Sequence, residues 1–277
     1  MPLYARPARL EEALQHLARG PFTILAGGTD HYPARVGKPL DEPVLDISAV
    51  DALRGIAERD DHWRIGATTT WTDLVEAELP PLFDGLRLAA REIGGVQIQN
   101  SGTLAGNICN ASPAADGVPA LLSLDAGVEL TSLDRTRVVP LAQFILGPRK
   151  TARKAHELVS AILVPRPRHE ARGHLLKLGA RKYLVISISM VGAVIEHGDG
   201  IVRRAAIAVG SCSAVAKRLP GLELALAGRR FDNALAALVR PAHLSALAPL
   251  DDVRASAAYR LDATLELTRR CLAEVAQ

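Results

Sequence analysis

Apolar residues recur at helical spacing near the start of the chain, and short apolar runs follow them. The spacing predicts a helix over residues 10–20, which ends at a glycine. The apolar run at residues 22–26 then breaks into Gly-Gly-Thr-Asp. This order predicts a strand, a glycine turn and a short helix beginning near Asp30. With a second short strand at residues 44–48, the pattern predicts a small α/β unit over residues 1–52.

A second pattern covers residues 53–172. Two alternating segments around Asp60 and Asp61 predict a β-hairpin. Residues 94–119 are rich in Gly, Asn, Ser and Pro, and we expect them to form one long irregular segment with a functional role. Helices are predicted at residues 72–78, 82–93 and 120–125, and strands at residues 128–133, 136–141 and 157–165.

The last part, residues 173–277, begins with strands and ends with helices. The basic stretch at residues 166–174 is expected to be a solvated hairpin loop, and Gly198-Asp199-Gly200 a turn. Three antiparallel strands are predicted, followed by helices at residues 221–227, 232–238 and 254–274. Leu261, Leu265 and Leu272 lie at helical spacing in the last of these. This order indicates an α+β domain with helices on one face of the sheet.

Composition narrows the function classes. The 277 residues are 48% hydrophobic with a net charge of +3, which excludes a disordered chain and a strong nucleic-acid footprint. The sequence contains no run of about 18 uncharged apolar residues, so it does not predict a membrane span. The N-terminus does not have the pattern of a secretory signal. Three scattered cysteines indicate a reducing, cytoplasmic setting. They are also too few to hold an iron–sulfur cluster by its usual four thiolates.

Two glycine loops carry the candidate chemistry. Residues 26–30 (AGGTD) join a buried strand to a helix start, where glycines let an anion approach the backbone N–H groups. Residues 103–116 (TLAGNICNASPAAD) place many hydrogen-bonding groups in one segment. Each loop alone could be a capped turn or a surface loop with Asx turns. Together they favour a clamp on a pyrophosphate, with Asp116 accepting from sugar hydroxyls.

Other kinds of site find no support in the sequence. A Rossmann or Walker glycine motif does not occur, and the eight histidines do not have metal-ligand spacing. A Ser/His/Asp order or an activated cysteine cannot be assigned from spacing either. We therefore predict neither a catalytic side chain nor a metal site in this chain.

The two loops resemble the FAD-binding medium subunit of molybdenum hydroxylases, the group that contains xanthine dehydrogenase and carbon monoxide dehydrogenase. The first loop reads AGGTDHYP where the family has AGGTDLLP, and the second matches T-(I/L)-GGN-x-xNASPxxD. The likeness continues through GVPALLSLDA, KLGARKYLVISI, RLPGLELALAG and SAAYRLDATLELTRR. It therefore covers nearly the whole chain.

The resemblance implies a vanillyl-alcohol-oxidase-type FAD-binding module. We expect two α/β subdomains, residues 1–52 and 53–172, and a smaller C-terminal α+β domain, residues 173–277, with a three-stranded antiparallel sheet and helices. FAD would be bound by this chain. The molybdopterin cofactor would lie in a large partner subunit and the 2Fe-2S clusters in a small iron–sulfur subunit.

The resemblance also implies which residues hold the cofactor. Those around the FAD pyrophosphate would be Ile24, Leu25, Ala26, Gly27, Gly28, Thr29, Asp30 and His31 on one side, and Thr103, Leu104, Ala105, Gly106 and Asn107 on the other. Asn110 belongs to the same second loop. Asp116 would hold ribose or ribityl hydroxyls, Leu158 would lie near the isoalloxazine ring, and Lys177 would be another flavin contact.

The chain departs from the family pattern at two places. Ala105 replaces the first glycine of the usual pair, and His31 and Tyr32 stand where aliphatic residues are commoner. Two roles stay open for His31, a polar group facing the flavin or a helix-start residue with its ring in solvent. Cys109 is expected to be a small buried side chain packed by the cofactor.

The function that follows is an FAD-binding electron-transfer subunit of a heterotrimeric molybdenum hydroxylase. It would pass electrons from iron–sulfur clusters of a partner through FAD to an acceptor such as NAD or a quinone. Two alternatives remain. One is a stand-alone FAD-dependent reductase or oxidase of the same fold, and the other is a structural subunit without flavin.

Overall fold

A small parallel sheet and one helix form the N-terminal part of the chain. The computed structural model describes residues 3–37, 39 and 41–277. Strands β1 (Tyr4–Ala5), β2 (Thr23–Leu25) and β3 (Val44–Asp46) are ordered β1-β3-β2, and α1 (Leu10–Arg19) precedes β2. The predicted helix and both predicted strands are confirmed. The helix expected from Asp30 is reduced to a 3-10 turn at Pro33–Arg35.

An antiparallel sheet is the centre of the second part. The helices here are α2 (Trp71–Glu76), α3 (Asp84–Glu92), α4 (Val96–Ser101), α5 (Leu104–Asn110), α6 (Gly117–Ser123) and α7 (Leu141–Phe144). The strands are β4 (Ile56–Glu58), β5 (His62–Gly66), β6 (Gly127–Thr131), β7 (Thr136–Pro140), β8 (Ile145–Gly147), β9 (Lys150–Thr151) and β10 (Leu158–Pro165). Five of them form a sheet in the order β4-β5-β10-β6-β7, while β8 pairs with β9. The predicted hairpin and strands are confirmed.

The expectation of one long irregular segment at residues 94–119 is wrong. Helices α4 and α5 and the start of α6 lie there. Leu104 and Ile108 are one helical turn apart and fully buried, which gives α5 an apolar face. The Thr103 hydroxyl accepts a hydrogen bond from the Gly106 N–H at 3.0 Å and so caps α5. The high Gly and Asn content hid this short helix in the sequence.

The C-terminal sheet has four strands rather than the predicted three. They are β11 (Glu170–Leu178), β12 (Ser189–Gly198), β13 (Ile201–Gly210) and β14 (Lys217–Arg218), paired in that order. The two basic residues of β14 have no apolar alternation that could have predicted a strand. The basic stretch is also shorter than the loop we expected, because β11 begins at Glu170 and pairs with β12 along its whole length.

Both faces of this sheet are covered, whereas helices were expected on one. Alternate residues of β12, Val191, Ala193 and Ile195, share a core with α8 (Pro220–Leu226) and α9 (Ala257–Val275). Val194 and Ala206 point the other way and join the core that contains α3 and α6. Because strand side chains alternate between faces, a strand that is apolar at every position is buried on both.

The buried face of helix α9 is more polar than the spacing of its leucines predicted. Leu261 and Leu265 are only partly buried, whereas Arg260 and Thr264 are buried. The Arg260 guanidinium donates to the Ile188 carbonyl at 2.5 Å, to the Ser211 carbonyl at 3.2 Å and to Asp252 Oδ1 at 2.7 Å, which gives both terminal nitrogens a partner. Neither α9 nor any other helix in the described ranges has the length and apolar character needed to cross a membrane.

A buried carboxylate anchors the segment before β10, and its removal should destabilise the fold. Glu157 is 1% exposed and accepts hydrogen bonds from Arg137 Nε at 2.7 Å and Nη2 at 2.8 Å. It also accepts from the Lys154 N–H at 2.9 Å. The Arg137 side chain in particular lowers the pKa of Glu157 from 4.5 to about 2.

We expect Glu157→Gln to lower the free energy of unfolding by about 2 kcal/mol at neutral pH, because a charged hydrogen-bonded pair is lost. Since the folded-state pKa is depressed, the stabilisation is complete above pH 4.5 and is lost as the pH falls toward about 2. Urea unfolding at a series of pH values measures this. Glu78→Gln, at an exposed glutamate, is the control and should change little. Equal stability of the wild-type and Glu157→Gln chains at pH 7 would contradict the argument.

Candidate functional site

A large cavity lies between the N-terminal unit and the helices α4 and α5. Its volume is about 760 Å³, which is within the range of small-molecule and cofactor sites. Segments distant in sequence form its walls, namely the first glycine loop, α5 and the segment around β8 and β9. Fourteen of the predicted site residues line it: Ile24, Leu25, Ala26, Gly27, Gly28, Thr29, Asp30, His31, Thr103, Ala105, Gly106, Asn107, Asn110 and Leu158.

The two glycine loops meet at Gly27. A Cβ atom at Gly27 would overlap the carbonyl oxygen of Ser101, at the end of α4. Gly28 has φ +70°, a left-handed conformation that other residues rarely adopt. Each of these two positions therefore requires glycine for a specific conformational or steric reason. At Gly27 the first loop can pass against the end of α4 only without a side chain, whereas a Cβ at Gly28 would meet the Tyr32 ring.

The first loop presents a run of unused backbone donors. In the part of the chain that the structure describes, the N–H groups from Gly27 to His31 donate to no protein acceptor. The conformation at Gly28 turns the backbone within this run, an arrangement typical of anion-binding nests. The run lines the cavity, so an anionic group placed there would meet several donors at once.

The second loop is held rigidly from behind. Thr103 forms a β-bridge with Thr70, and the Leu104 N–H donates to the Thr69 carbonyl at 3.1 Å. The Trp71 N–H donates to the Gly102 carbonyl, also at 3.1 Å. The Leu104 side chain is fully buried in the core and is not among the residues that line the cavity. It anchors α5, while Thr103, Ala105 and Gly106 face the opening.

Two buried polar atoms on the cavity wall have no partner among the described residues. They are the side-chain oxygen of Asn107 and Nε2 of His31. Burial, and then the charge of Arg35, lower the pKa of His31, which favours the neutral ring. A ring lying in solvent, one of the two roles considered for His31, does not match this burial. Buried polar atoms normally have partners, so unpartnered ones are a feature of a site that receives a polar group.

Sequence patterns missed a basic and aromatic part of the wall. Arg35, Arg149 and Arg153 line the cavity, as does the buried Trp71. Arg35 pairs with Glu42, Arg149 donates to the Asn110 side chain, and Arg153 donates to backbone carbonyls. The basic run at residues 149–154 was the available signal. It did not identify these residues because the packing of β8 and β9 against α5 decides which of them face inward.

Cys109 lies where a bound cofactor would cover it, which is compatible with the expectation of a small side chain packed by the cofactor. It lines the cavity and is exposed to it. Desolvation by neighbouring protein atoms raises the pKa of the Cys109 thiol to about 11. At neutral pH the group is therefore a protonated, weakly reactive thiol.

Asp116 and Lys177 pair with each other and are not among the residues that line the cavity. Lys177 Nζ lies 2.8 Å from Asp116 Oδ2 and 3.3 Å from the Glu92 carbonyl oxygen. Burial raises the pKa of Asp116, and Lys177 opposes that effect. Ser187 also donates to Asp116, at 3.3 Å. The pair joins the start of α6 to β11 across the boundary between the two larger parts of the chain.

Comparison with known families identifies the class of protein. The family described as the FAD binding domain in molybdopterin dehydrogenase matches residues 2–167. The CO dehydrogenase flavoprotein C-terminal domain matches residues 174–275. The first match covers more than half of the chain, which therefore belongs to the FAD-binding subunits of the molybdenum hydroxylase family. The chain is thus an oxidoreductase subunit, and FAD is its cofactor.

Individual relatives agree with this assignment. The putative xanthine dehydrogenase FAD-binding subunit of Escherichia coli is 30% identical over 281 residues, covering 98% of this chain and 94% of that protein. The nicotinate dehydrogenase FAD-subunit of Eubacterium barkeri is 33% identical over 220 residues, covering 74% and 72%. A chain of carbon monoxide dehydrogenase from Hydrogenophaga pseudoflava superposes with a TM-score of 0.85 at 26% identity, covering 99% of this chain and 96% of that one.

The cavity residues fit FAD on their own chemistry. The free N–H groups from Gly27 to His31 suit a pyrophosphate, which needs many donors. The unpartnered Asn107 and His31 atoms suit the polar groups of a dinucleotide. Leu158 and Trp71 supply apolar surface for a ring system.

The Asp116–Lys177 pair can be tested by a double-mutant cycle. We expect Lys177→Met to lower the free energy of unfolding by about 3 kcal/mol, because it leaves a buried carboxylate without its partner. The double variant Asp116→Asn/Lys177→Met should lose less than Lys177→Met alone. Urea unfolding of the FAD-free chain, followed by tryptophan fluorescence, measures these two variants and the Asp116→Asn single variant that completes the cycle.

Lys182→Met is the control for the loss of one positive charge, since Lys182 is exposed. It should leave the free energy of unfolding close to that of the wild type. If the two single effects simply add in the double variant, the two residues do not act as a pair and the interpretation is wrong.

Proposed function

We propose that this chain is the electron-transfer subunit of a heterotrimer. Its partners would be a large molybdopterin-binding subunit and a small subunit with 2Fe-2S clusters. Electrons would pass from those clusters through FAD in this chain to an acceptor such as NAD or a quinone. The observation that carries the proposal is the cavity bordered by free N–H groups from Gly27 to His31.

The residues that would hold FAD belong to three segments. The backbone of Gly27 to His31 would bind the pyrophosphate from one side, and Thr103 to Asn107 from the other. Leu158 would pack against a ring of the cofactor. Asp116 and Lys177 do not line the cavity, and their ion pair would instead support the end of the second loop. Two differences from the resemblance follow: Leu104 anchors α5 in the core, and Asp116 and Lys177 pair with each other instead of making separate contacts to the flavin.

The protein's own residues position the cofactor and exclude competing reactions. When bound, FAD supplies a ring that accepts and releases electrons. The fixed bridge between Thr70 and Thr103 holds the second loop in place for it. The guanidinium groups of Arg35, Arg149 and Arg153 offset negative charge in the cavity. The cavity does not need a side-chain base for this role, so we assign no catalytic residue.

The cysteines support a division of labour between subunits. All three, Cys109, Cys212 and Cys271, are free, and a 2Fe-2S cluster is normally held by four thiolates. Relatives of this chain are named as medium chains, such as that of carbon monoxide dehydrogenase from Hydrogenophaga pseudoflava, 27% identical over 279 residues. We therefore infer that the clusters and the molybdenum lie in partner chains. The free thiols also support a reducing, cytoplasmic setting.

The FAD site can be tested by changing one glycine. We expect Gly27→Val to weaken FAD binding at least about tenfold, because its side chain would push the first loop away from Ser101. FAD content is measured by visible absorbance after desalting, and affinity by quenching of flavin fluorescence. Gly20→Ala is the matched control, since a Cβ there meets nothing within 4 Å.

Circular dichroism should show the same secondary structure in both glycine variants. Retention of FAD by a folded Gly27→Val chain would rule out the proposed clamp. A wild-type chain that stays colourless after FAD is added would favour a structural subunit without flavin.

The electron acceptor and the partners need a second experiment. The FAD-loaded chain is reduced with dithionite and mixed with NAD or with a soluble quinone. We expect one of these two acceptors to reoxidise the flavin faster than the other. Expression with the neighbouring genes should yield a complex of three chains in which substrate reduces the flavin. Reduction of the isolated chain by an organic substrate would instead indicate a stand-alone oxidoreductase.

A further inference from the structure

A second cavity lies where the two larger parts of the chain join. Its volume is about 470 Å³. The segment between β10 and β11 forms one side, and the hairpin of β12 and β13 forms another. Asp125, just after α6, closes the third side. It is separate from the FAD cavity, with which it shares no lining residue.

Positive charge exceeds negative charge on the walls of this cavity. Arg166, Arg168, Arg203 and Arg204 line it, against the carboxylates of Asp125 and Glu196. Both carboxylates are already engaged. Glu196 accepts from Arg204 Nη1 at 2.7 Å and from the Arg168 N–H at 3.2 Å, and Asp125 pairs with Arg204 and with Arg218 outside the cavity.

Arg204 lies on the wall of this cavity and is partly buried. Burial and then the neighbouring charge of Arg218 both lower the pKa of its guanidinium. A cation in such surroundings is stabilised by any anion that enters the cavity. The carboxylates do not supply more negative charge, because each already contacts an arginine.

Three basic side chains on the cavity wall have no strong partner among the described residues and are available to bind a ligand. Neither the Arg168 guanidinium nor the His169 ring makes a hydrogen bond or ion pair with any residue that the structure describes. Arg203 pairs only with Asp199, at 2.8 Å, whose side chain is 91% exposed, and such surface pairs are weak. A Cβ at Gly198 would lie 3.4 Å from Arg203 Nε and 3.8 Å from His169 Nδ1. These two groups therefore converge on one place.

The segment that carries Arg168 and His169 is itself anchored. Arg166 Nε donates to the Arg59 carbonyl at 2.8 Å, and its guanidinium lies 4.7 Å from the centre of the Trp63 ring. Two residues further along, the Arg168 N–H donates a hydrogen bond to the Glu196 carboxylate. These contacts hold the backbone of this short segment, and the Arg168 and His169 side chains are exposed on the cavity wall.

We propose that this second cavity binds a phosphate-bearing anion through Arg168, Arg203 and His169. A guanidinium group binds phosphate oxygens through two parallel hydrogen bonds, which favours phosphate over a simple halide. The phosphate could be free or part of a nucleotide, since both present the same group. The site is independent of the FAD function.

The test uses the full chain saturated with FAD, so that the first cavity is filled. Isothermal titration with sodium pyrophosphate, at constant ionic strength, should show one site per chain. Arg168→Ala/Arg203→Ala should weaken this binding at least about tenfold, with FAD content unchanged. Arg19→Ala/Arg270→Ala removes the same charge at exposed positions outside the cavity and should leave the affinity unchanged.

A parallel titration with ADP distinguishes the two sources. Tighter binding of ADP than of pyrophosphate assigns the site to a nucleotide, and equal or weaker binding assigns it to free phosphates. The visible absorbance of the flavin shows whether either probe displaces FAD. Absence of binding, binding only with displacement of FAD, or equal weakening in the control variant would each overturn the proposal.

Discussion

The backbone contact between the first glycine loop and the end of α4 is the constraint on which the cavity depends. At Gly27 the two segments lie too close for any side chain. The N-terminal unit has strands of only two or three residues, too short to fix their own position. The close approach to the Ser101 carbonyl and the packing of Leu158 into the core of the unit together limit where the unit lies. The position of the unit in turn decides where its free N–H groups point.

The C-terminal domain is tied to the rest of the chain by burial as well as by charge. Its sheet gives one face to α8 and α9 and the other to the core of the preceding part. The ion pair of Lys177 and Asp116 lies in this contact, where an unpaired charge would be costly. A pair of this kind contributes more to fixing the relative position of two surfaces than to overall stability. The start of α6 and strand β11 are therefore held together across the boundary between the two larger parts of the chain.

Much of the fold could be predicted from the sequence, and the failures have physical reasons. Apolar spacing predicted α1, α3, α9 and most strands, because their burial follows a simple period. It failed at α5, which is only seven residues long and rich in small polar residues. It failed again at the buried face of α9, where Arg260 is accepted because backbone carbonyls and Asp252 bind it. Tertiary partners of that kind leave no periodic signal.

The candidate site also contains residues that the sequence could predict and residues that it could not. The glycine loops were identified because few sequences place these residues in that order, and fourteen of the seventeen proposed residues line one cavity. Arg35, Arg149 and Arg153 could not be found, since only packing brings them to the same wall. For the same reason FAD affinity and the position of the N-terminal unit must be linked. A ligand that bridges two segments stabilises only the arrangement in which they meet. The small unit has a core of its own, to which Leu158 of β10 also contributes, so FAD would add to that packing in holding the unit against α4 and α5.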